Sequence, residues 1–208
     1  MESSGQKVCV VDYEAGNLTS VCLALEELGW ETIVTGNPDT VVEADRLIFP
    51  GVGAAPAAMS KLKERGLGEA ITEYALSGRP LLGICLGAQI IFDRSAEGDA
   101  ECLGLLDGSV EPLTPSSSFK VPHMGWNAVE FAREHPVWNG IEAGAQFYFV
   151  HGYVVIPDSA GVVIGRTEYD ELFVSAVAKH NIVAFQFHPE RSGKFGLEVL
   201  RNFLRWSP

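Results

Sequence analysis

The sequence has 208 residues, of which 47% are hydrophobic and 20% charged, and its formal net charge is −12. This is enough for one domain with a sizeable core, whereas an acidic chain is a poor partner for nucleic acid, because phosphate binding relies on clustered Lys and Arg. Four cysteines without a Cys-x-x-Cys pair or a Cys/His cluster argue against both a disulfide framework and a metal site.

The first seven residues are polar, with no signal region, and no apolar run approaches the ~20 residues needed to span a membrane. We therefore expect a cytoplasmic protein that contacts no membrane. A plastid location after removal of a transit segment stays open.

The first half of the chain alternates predicted strands and helices. Hydrophobic patterns predict a strand over Val8–Asp12, a helix over Leu18–Leu28 and a strand over Glu31–Thr35. A strand at Arg46–Phe49 and helices across Ala57–Ser77 follow. Such β-α-β repetition implies a mostly parallel sheet with helices on both faces.

Beyond Gly108 the alternation of predicted strands and helices ends. Short β-like segments, such as Phe147–Ile156 and Leu172–Val177, alternate with loops and suggest an antiparallel extension of the sheet. We therefore expect a single α/β domain over residues 1–208, with an ordered core over about 7–205.

A glycine-flanked cysteine lies where an apolar run, Pro80–Ile84, gives way to an amphipathic stretch, Ala88–Phe92. A strand, a sharp turn in Gly83-Ile84-Cys85-Leu86-Gly87 and a helix start form the layout of a nucleophile elbow, with a thiol in place of serine. Free N–H groups and the positive dipole end at a helix start favour a thiolate. We therefore predict that Cys85 is a nucleophile, and that the other cysteines are structural.

A thiolate nucleophile needs a base and a group that orients it. The apolar run Val183–Phe187 predicts a buried strand, and His188-Pro189-Glu190 follows at its end, where parallel sheets collect functional groups. Proline keeps His188 extended, so the side chains of His188 and Glu190 can project to the same side. We predict a Cys85, His188 and Glu190 triad.

The oxyanion of a tetrahedral intermediate needs hydrogen-bond donors. A short apolar strand ends in Pro50-Gly51-Val52-Gly53, whose glycines let main-chain N–H groups approach a ligand closely. The N–H of Leu86, next to the nucleophile, is the second expected donor. Alone, this glycine loop is also compatible with a phosphate cradle, although it lacks the lysine of a P-loop.

These three motifs, with Gln186-Phe187 before His188, resemble the signatures of class I glutamine amidotransferases in the family's order. Four further stretches are similar to the glutaminase subunits of imidazole glycerol phosphate synthase: Asp12-Tyr13 with Gly16-Asn17-Leu18, Val121 to Asn127, Tyr148 to His151 and Thr167 to Asp170. The resemblance runs from about Val8 to about Phe203, and Pro122-His123-Met124-Gly125-Trp126-Asn127 is its most specific part.

The resemblance implies a flavodoxin-like fold and a glutaminase that needs no cofactor. Such subunits hydrolyse glutamine to glutamate and ammonia through a γ-glutamyl thioester. They form a heterodimer with a cyclase built as an eight-stranded β/α barrel, which uses the ammonia in histidine biosynthesis.

Residue roles carried over from the family also remain implications of the resemblance. Gln89 and Glu97 match positions that hold glutamine. The family meets its cyclase at the positions of Asn17, Trp126, Tyr148 and Arg191.

The chain departs from the family at Glu14, where glycine is common, and at Arg191, where lysine is common. Arginine keeps the charge but adds a planar fork of donors, so a lysine contact across the interface is not expected to survive unchanged.

Two other classes stay open. The glutaminase subunit of pyridoxal phosphate synthase or a γ-glutamyl hydrolase would share the triad but should lack Pro122 to Asn127. A non-catalytic binding module derived from a glutaminase would usually have lost a triad member, whereas all three are present here.

Overall fold

The structure is a computed structural model that describes residues 6–14, 18–114, 116 and 119–208. Its strands are, in chain order, β1 (Val8–Val11), β2 (Thr32–Thr35), β3 (Arg46–Gly51), β4 (Leu81–Cys85), β5 (Phe92–Ser95), β6 (Ala100–Glu101), β7 (Leu106–Pro112), β8 (His123–Ala128), β9 (Glu130–Phe131), β10 (Gln146–His151), β11 (Tyr153–Pro157), β12 (Val163–Tyr169), β13 (Glu171–Lys179) and β14 (Ile182–Phe185). Its α-helices are α1 (Leu18–Glu27), α2 (Pro38–Val42), α3 (Ala55–Glu64), α4 (Leu67–Leu76), α5 (Leu86–Gln89) and α6 (Gly193–Arg205).

One large mixed sheet runs in the order β2-β1-β3-β4-β14-β13-β11-β7-β5-β6. The strands from β2 to β14 pair in parallel, and β13 then joins β14 antiparallel and begins the extension. Strands β8 and β10 form a separate antiparallel ribbon. The predicted α/β class, with a parallel sheet and an antiparallel extension, is confirmed.

The core lies on both faces of the parallel strands. Alternate residues of β1 enter different clusters: Val8 and Val10 pack with residues of α1 and α6, whereas Cys9 and Val11 pack with residues of α3 and α4. Since successive side chains of a strand point to opposite faces, helices cover both sides of the sheet. This explains why the parallel strands read as continuous apolar runs.

Two local differences from the sequence-based expectations concern short elements. Helix α5 ends at Gln89, and Phe92, expected in the amphipathic stretch after the elbow, begins strand β5 and pairs with Leu106 of β7. Long-range pairing thus overrides helical periodicity here. Helix α2 was not predicted, although Asn37 caps it by accepting hydrogen bonds from the N–H groups of Asp39 and Thr40.

Among the described residues, no helix has both the length and the hydrophobicity needed to cross a membrane.

A buried arginine ties the start of β3 to the end of α6. The Arg46 side chain donates from Nη1 to the carbonyl oxygens of Phe203 at 3.0 Å and Trp206 at 2.7 Å. Its Nε donates to Gln6 Oε1 at 3.2 Å, and burial lowers the pKa of the guanidinium. Because cations favour helix carboxyl termini, this contact closes the last turn of α6.

Replacing Arg46 by Met should lower the free energy of unfolding by about 3 kcal/mol, because two buried carbonyl oxygens lose a charged donor. Denaturant unfolding of Arg46→Met measures this loss. Arg205→Met is the matched control, because Arg205 is exposed in the last turn of α6. Its replacement should lower the free energy of unfolding by less than about 0.5 kcal/mol. Equal losses in both variants would contradict the role given to Arg46.

Candidate active site

The cysteine elbow joins β4 to α5. Cys85 ends β4 with φ 53° and ψ −110°, a strained conformation for a residue other than glycine, and α5 begins at Leu86. A Cβ atom on Gly87 would overlap the carbonyl oxygen of Phe49, and one on Gly83 would lie 3.1 Å from the Cα of Ala88. The glycines therefore let the turn pack closely against β3 while Cys85 stays only 7% exposed.

His188 and Glu190 lie together after β14. Nδ1 of His188 is 2.7 Å from Oε1 of Glu190, and the exposed fractions of the two side chains are 5% and 3%. A carboxylate only accepts, so Nδ1 carries the hydrogen that is donated to it. Nε2 of His188 is buried and has no hydrogen-bond partner among the described residues. Nε2 is therefore the ring nitrogen that can interact with the Cys85 thiol.

Opposing effects act on the pKa of His188. Burial lowers it, but the interactions with Cys85 and with the Glu190 carboxylate raise it more, and the net pKa lies well above the ordinary value of 6.5. These interactions therefore favour the protonated form of His188. A protonated imidazole between a carboxylate and a thiol favours an imidazolium–thiolate pair, which is a ready nucleophile and acid.

The glycine loop lies beside the nucleophile. In the parallel pairing of β3 with β4, Gly51 is the register partner of Cys85. A Cβ atom on Gly51 would overlap the hydroxyl of Tyr13, which is buried without a hydrogen-bond partner among the described residues and whose pKa is raised by burial and by Cys85. Gly53 has φ 102°, a conformation that favours glycine.

A cavity of about 460 Å³ opens at this point. It brings together predicted residues from four parts of the chain, with walls from β10 and the start of β11. Its lining residues are Val52, Gly53, Cys85, Leu86, Gln89, Glu97, Pro122, Val150, His151, Gly152 and Tyr153. The nucleophile, three of the four expected oxyanion residues and both expected glutamine-binding residues therefore face one space of small-molecule size.

The two expected glutamine-binding residues make different contacts. Gln89 is 5% exposed, and its Nε2 donates to the carbonyl oxygen of Tyr153 at 3.1 Å. Glu97 accepts at Oε2 from the N–H of Ala55 at 2.7 Å, so its carboxylate also caps the start of α3. Helix α3 follows the oxyanion loop directly, and Glu97 thereby ties the far wall of the cavity to that loop.

The expected cyclase contacts form one surface cluster, which consists of Trp126, Tyr148 and Arg191. The Trp126 side chain is 53% exposed, and its ring meets Tyr148 edge-on at 6.2 Å. The Arg191 guanidinium lies 4.2 Å from the centre of the Tyr148 ring. The cluster adjoins the triad, since Arg191 follows Glu190 and the N–H of His188 donates to the Tyr148 carbonyl at 2.9 Å. Asn17, the fourth expected contact, lies outside the described residues.

Glu14, where the family commonly has glycine, has φ 63°. Glycine adopts this conformation without strain, which explains its use at this position. The exposed Glu14 carboxylate lies 2.6 Å from Nζ of Lys61, and that contact lowers the pKa of Glu14.

Three polar residues near the site were not selected from the sequence. Gln186, 2% exposed, lies between Gln89 and Cys85. His123 and His151 form a buried pair, with Nδ1 of His123 3.0 Å from Nε2 of His151, and burial lowers their pKa values to about 4 and about 3. The sequence signal for Gln186 is a polar side chain inside the apolar run Val183–Phe187.

A larger groove, of about 830 Å³, lies between α3 and α4 and includes Cys102. Burial and the neighbouring Glu101 raise the pKa of this thiol to about 11, so it is a poor nucleophile. Within the described part of the chain, no three His, Cys, Asp or Glu side chains are grouped to hold a metal ion.

Comparison with known proteins shows the family of the chain. Residues 9–206 match the family model of class I glutamine amidotransferases. The HisH subunit of imidazole glycerol phosphate synthase from Nitrosomonas europaea is 46% identical over 210 residues, covering 97% of this chain and 99% of the relative. The HisH subunit from Thiobacillus denitrificans is also 46% identical, covering 97% and 92%.

Among solved structures, that of PurLQS from Thermotoga maritima superposes with a TM-score of 0.74 at 22% identity, covering 96% of this chain and 97% of the other. That likeness concerns the fold alone. The family model and the two HisH relatives together show that the chain belongs to the class I glutamine amidotransferases and, within them, to the HisH subunits of imidazole glycerol phosphate synthases.

Proposed function

We propose that the protein hydrolyses glutamine to glutamate and ammonia and supplies the ammonia to a cyclase subunit of imidazole glycerol phosphate synthase. One observation carries the proposal: His188 interacts with both Cys85 and the Glu190 carboxylate, and Cys85 lines a cavity of small-molecule size. The membership in the HisH family supports the substrate and the pathway.

The first half of the reaction is acyl transfer to sulfur. The Cys85 thiolate attacks the side-chain carbonyl carbon of glutamine, and the carbonyl oxygen becomes an oxyanion. Protonated His188 gives the proton on Nε2 to the leaving nitrogen, while Glu190 keeps Nδ1 in place. The carbon–nitrogen bond then breaks, which leaves a γ-glutamyl thioester on Cys85 and free ammonia.

The second half reverses the proton transfer. His188 is now neutral at Nε2 and takes a proton from water as the oxygen attacks the thioester carbon. The carbon–sulfur bond breaks, glutamate leaves, and the imidazolium–thiolate pair is restored. Burial of the histidine–glutamate pair keeps the imidazole in one orientation through both halves.

The oxyanion of both steps needs donors that are already in place. We assign this role to the main chain of Gly51, Val52 and Gly53 and to the N–H of Leu86. The pairing of Gly51 with Cys85 across adjacent strands supports this assignment, because it holds the loop level with the sulfur.

Ammonia must reach the cyclase before it is protonated or mixes with solvent. The cluster of Trp126, Tyr148 and Arg191 is our proposed contact with a β/α-barrel cyclase in a heterodimer. In the cyclase, the ammonia joins a phosphorylated ribulosyl-formimino precursor. This reaction yields imidazole glycerol phosphate and an aminoimidazole carboxamide ribotide. The position of the cluster next to Glu190 supports a short path between the two sites.

The alternatives weighed from the sequence have less support. A non-catalytic module would not need a buried histidine–glutamate pair next to a strained cysteine elbow. A glutaminase of another pathway would not be expected to match HisH subunits over nearly its full length.

Replacing Cys85 by Ala should lower glutamine hydrolysis by at least about 10⁴-fold, because no thioester can form. In a complex with the matching cyclase, the Cys85→Ala variant should still make product when concentrated ammonium salt at alkaline pH replaces glutamine. Glutamate release and cyclase product are measured in parallel. Folded Cys85→Ala protein that hydrolyses glutamine at the original rate would sink the proposed mechanism.

Glu190→Gln and His188→Ala should both lower turnover, but the loss in Glu190→Gln should be about 10- to 100-fold smaller. Glu190 orients the imidazole and does not itself move the proton. Glu190→Gln also removes a carboxylate that raises the pKa of His188, so the alkaline limb of the kcat profile should move to lower pH. Steady-state kinetics across pH measure both effects. Equal losses in the two folded variants, or an unmoved alkaline limb, would show that these roles are wrong.

We propose that the loop at Gly51 to Gly53 is misaligned until the cyclase and its ligand bias it toward the active arrangement. Because a misplaced oxyanion donor costs ~10²–10³ in rate, the isolated subunit should be a weak glutaminase that liganded cyclase stimulates at least about tenfold. Trp126→Ala should lose much of this stimulation. Leu76→Ala is the matched control, because Leu76 is a large hydrophobic residue, 83% exposed, at the end of α4. Steady-state glutamate release decides: a Trp126→Ala complex that responds like wild type would exclude the contact.

A further inference from the structure

A buried glutamine, Gln186, connects the nucleophile to the expected substrate-binding residue. It lies directly after β14, whose Phe185 is the register partner of Ile84 in β4, so Gln186 is level with Cys85. Its side chain and that of His188 both interact with Cys85. The side chain is almost completely buried, so its amide must find partners inside the protein.

The contacts of Gln89 determine which way the Gln186 amide points. Nε2 of Gln89 donates to the carbonyl oxygen of Tyr153 at 3.1 Å, and a carbonyl oxygen can only accept. The same nitrogen lies 2.9 Å from the Gln186 side chain, so Gln186 must offer its oxygen there. The Gln186 nitrogen then faces the other way, towards Sγ of Cys85 at 3.8 Å.

A histidine supports this orientation from outside the pair. Nδ1 of His151 is 2.9 Å from the same Tyr153 carbonyl oxygen, which therefore accepts two donors and has no free lone pair. Burial lowers the pKa of His151 to about 3, so the ring is neutral and its Nδ1 carries the donated hydrogen. The Tyr153 carbonyl thus holds the Gln89 nitrogen in one position.

Two consequences for the chemistry follow. Both hydrogens of the Gln89 nitrogen are used inside the protein, so only the Gln89 oxygen is left to receive an N–H or ammonium group of a molecule in the cavity. The Gln186 N–H meets the sulfur, and a thiolate is a stronger hydrogen-bond acceptor than a thiol. The contact therefore favours the charged, nucleophilic form of Cys85.

We infer that Gln186 is a positioning residue of the glutaminase reaction, which holds Gln89 with its amide oxygen towards the substrate and holds the Cys85 thiolate with its own N–H. The inference rests on the proposed glutaminase function. It adds a residue that links substrate binding and nucleophile activation through a single side chain.

Gln186→Met removes both contacts in a side chain of similar length. Alkylation of Cys85 by iodoacetamide at neutral pH should slow about tenfold, because the thiolate loses a donor. The KM for glutamine, measured with the matching cyclase, should rise about fivefold, because Gln89 is free to turn. Mass spectrometry of the Cys85 peptide separates this thiol from the other cysteines.

Gln186→Glu separates the two contacts in a side chain of the same shape. The introduced carboxylate still accepts from Gln89 but offers no N–H to the sulfur. We expect KM to stay within about twofold of wild type, while kcat and Cys85 alkylation both fall at least about tenfold. Iodoacetamide is uncharged, so the added charge does not repel the reagent itself.

Ser175→Ala is the control for general loss of buried polar contacts. The Ser175 hydroxyl accepts a hydrogen bond from the Thr167 hydroxyl at 2.9 Å. The main-chain carbonyl of Ser175, which the substitution keeps, accepts a hydrogen bond from the N–H of Gln186. This variant should melt at a lower temperature but alkylate at the wild-type rate. If destabilisation alone slowed the alkylation of Cys85, Ser175→Ala would alkylate slowly as well.

Wild-type alkylation and kinetics in folded Gln186→Met would overturn the inference, and if that variant does not fold, the same result in Gln186→Glu would do so. A failure of the proposed function would look different. It would appear as glutamate release by Cys85→Ala, whereas the alkylation rate reports on the thiol without any turnover.

Discussion

Parallel pairing of three neighbouring strands is the constraint on which the site depends. Strands β3, β4 and β14 lie side by side with Gly51 opposite Cys85 and Ile84 opposite Phe185, so their carboxyl ends meet at one edge of the sheet. The proposed oxyanion loop follows β3, the proposed nucleophile ends β4, and the histidine–glutamate pair follows β14. A slip of one residue in the register of any of these strands would turn its side chains to the other face of the sheet. Because the strands are buried on both sides, their apolar contacts resist such a slip.

The elbow adds a second, local constraint. Cys85 is held at a positive φ, and the cost of that conformation, about 1–3 kcal/mol, is offset by the close packing that Gly83 and Gly87 permit. A rigid elbow suits a nucleophile that must meet a base and a set of donors at fixed positions. The buried pair of His188 and Glu190 has the same character, since neither side chain has room to change rotamer without breaking a charged hydrogen bond.

Much of this arrangement could be predicted from the sequence, and the exceptions have physical causes. The elbow and the strands predicted over Arg46–Phe49 and Val183–Phe187 could be found because glycine spacing and apolar runs are local signals. The strand ends were less accurate, since β3 continues to Gly51 and β14 ends at Phe185. The short length of α5 was not, since the pairing of Phe92 with Leu106 is set by a distant strand. Gln186 was missed as a site residue because it lies in an apolar run, and only its three-dimensional neighbours show where its amide points.

The contact of Arg46 with the end of α6 affects when the chain can fold during synthesis. A ribosome releases residues in order, and the acceptors for this cation, the carbonyls of Phe203 and Trp206, emerge 157 and 160 residues after Arg46. Strand β14, which completes the sheet beside β4, also comes late. The strands up to β4 therefore wait during synthesis with an open sheet edge, and Arg46 waits without its two carbonyl acceptors. Cys85, the proposed nucleophile, can meet its proposed base, His188, only after the whole stretch from β4 to β14 has been translated.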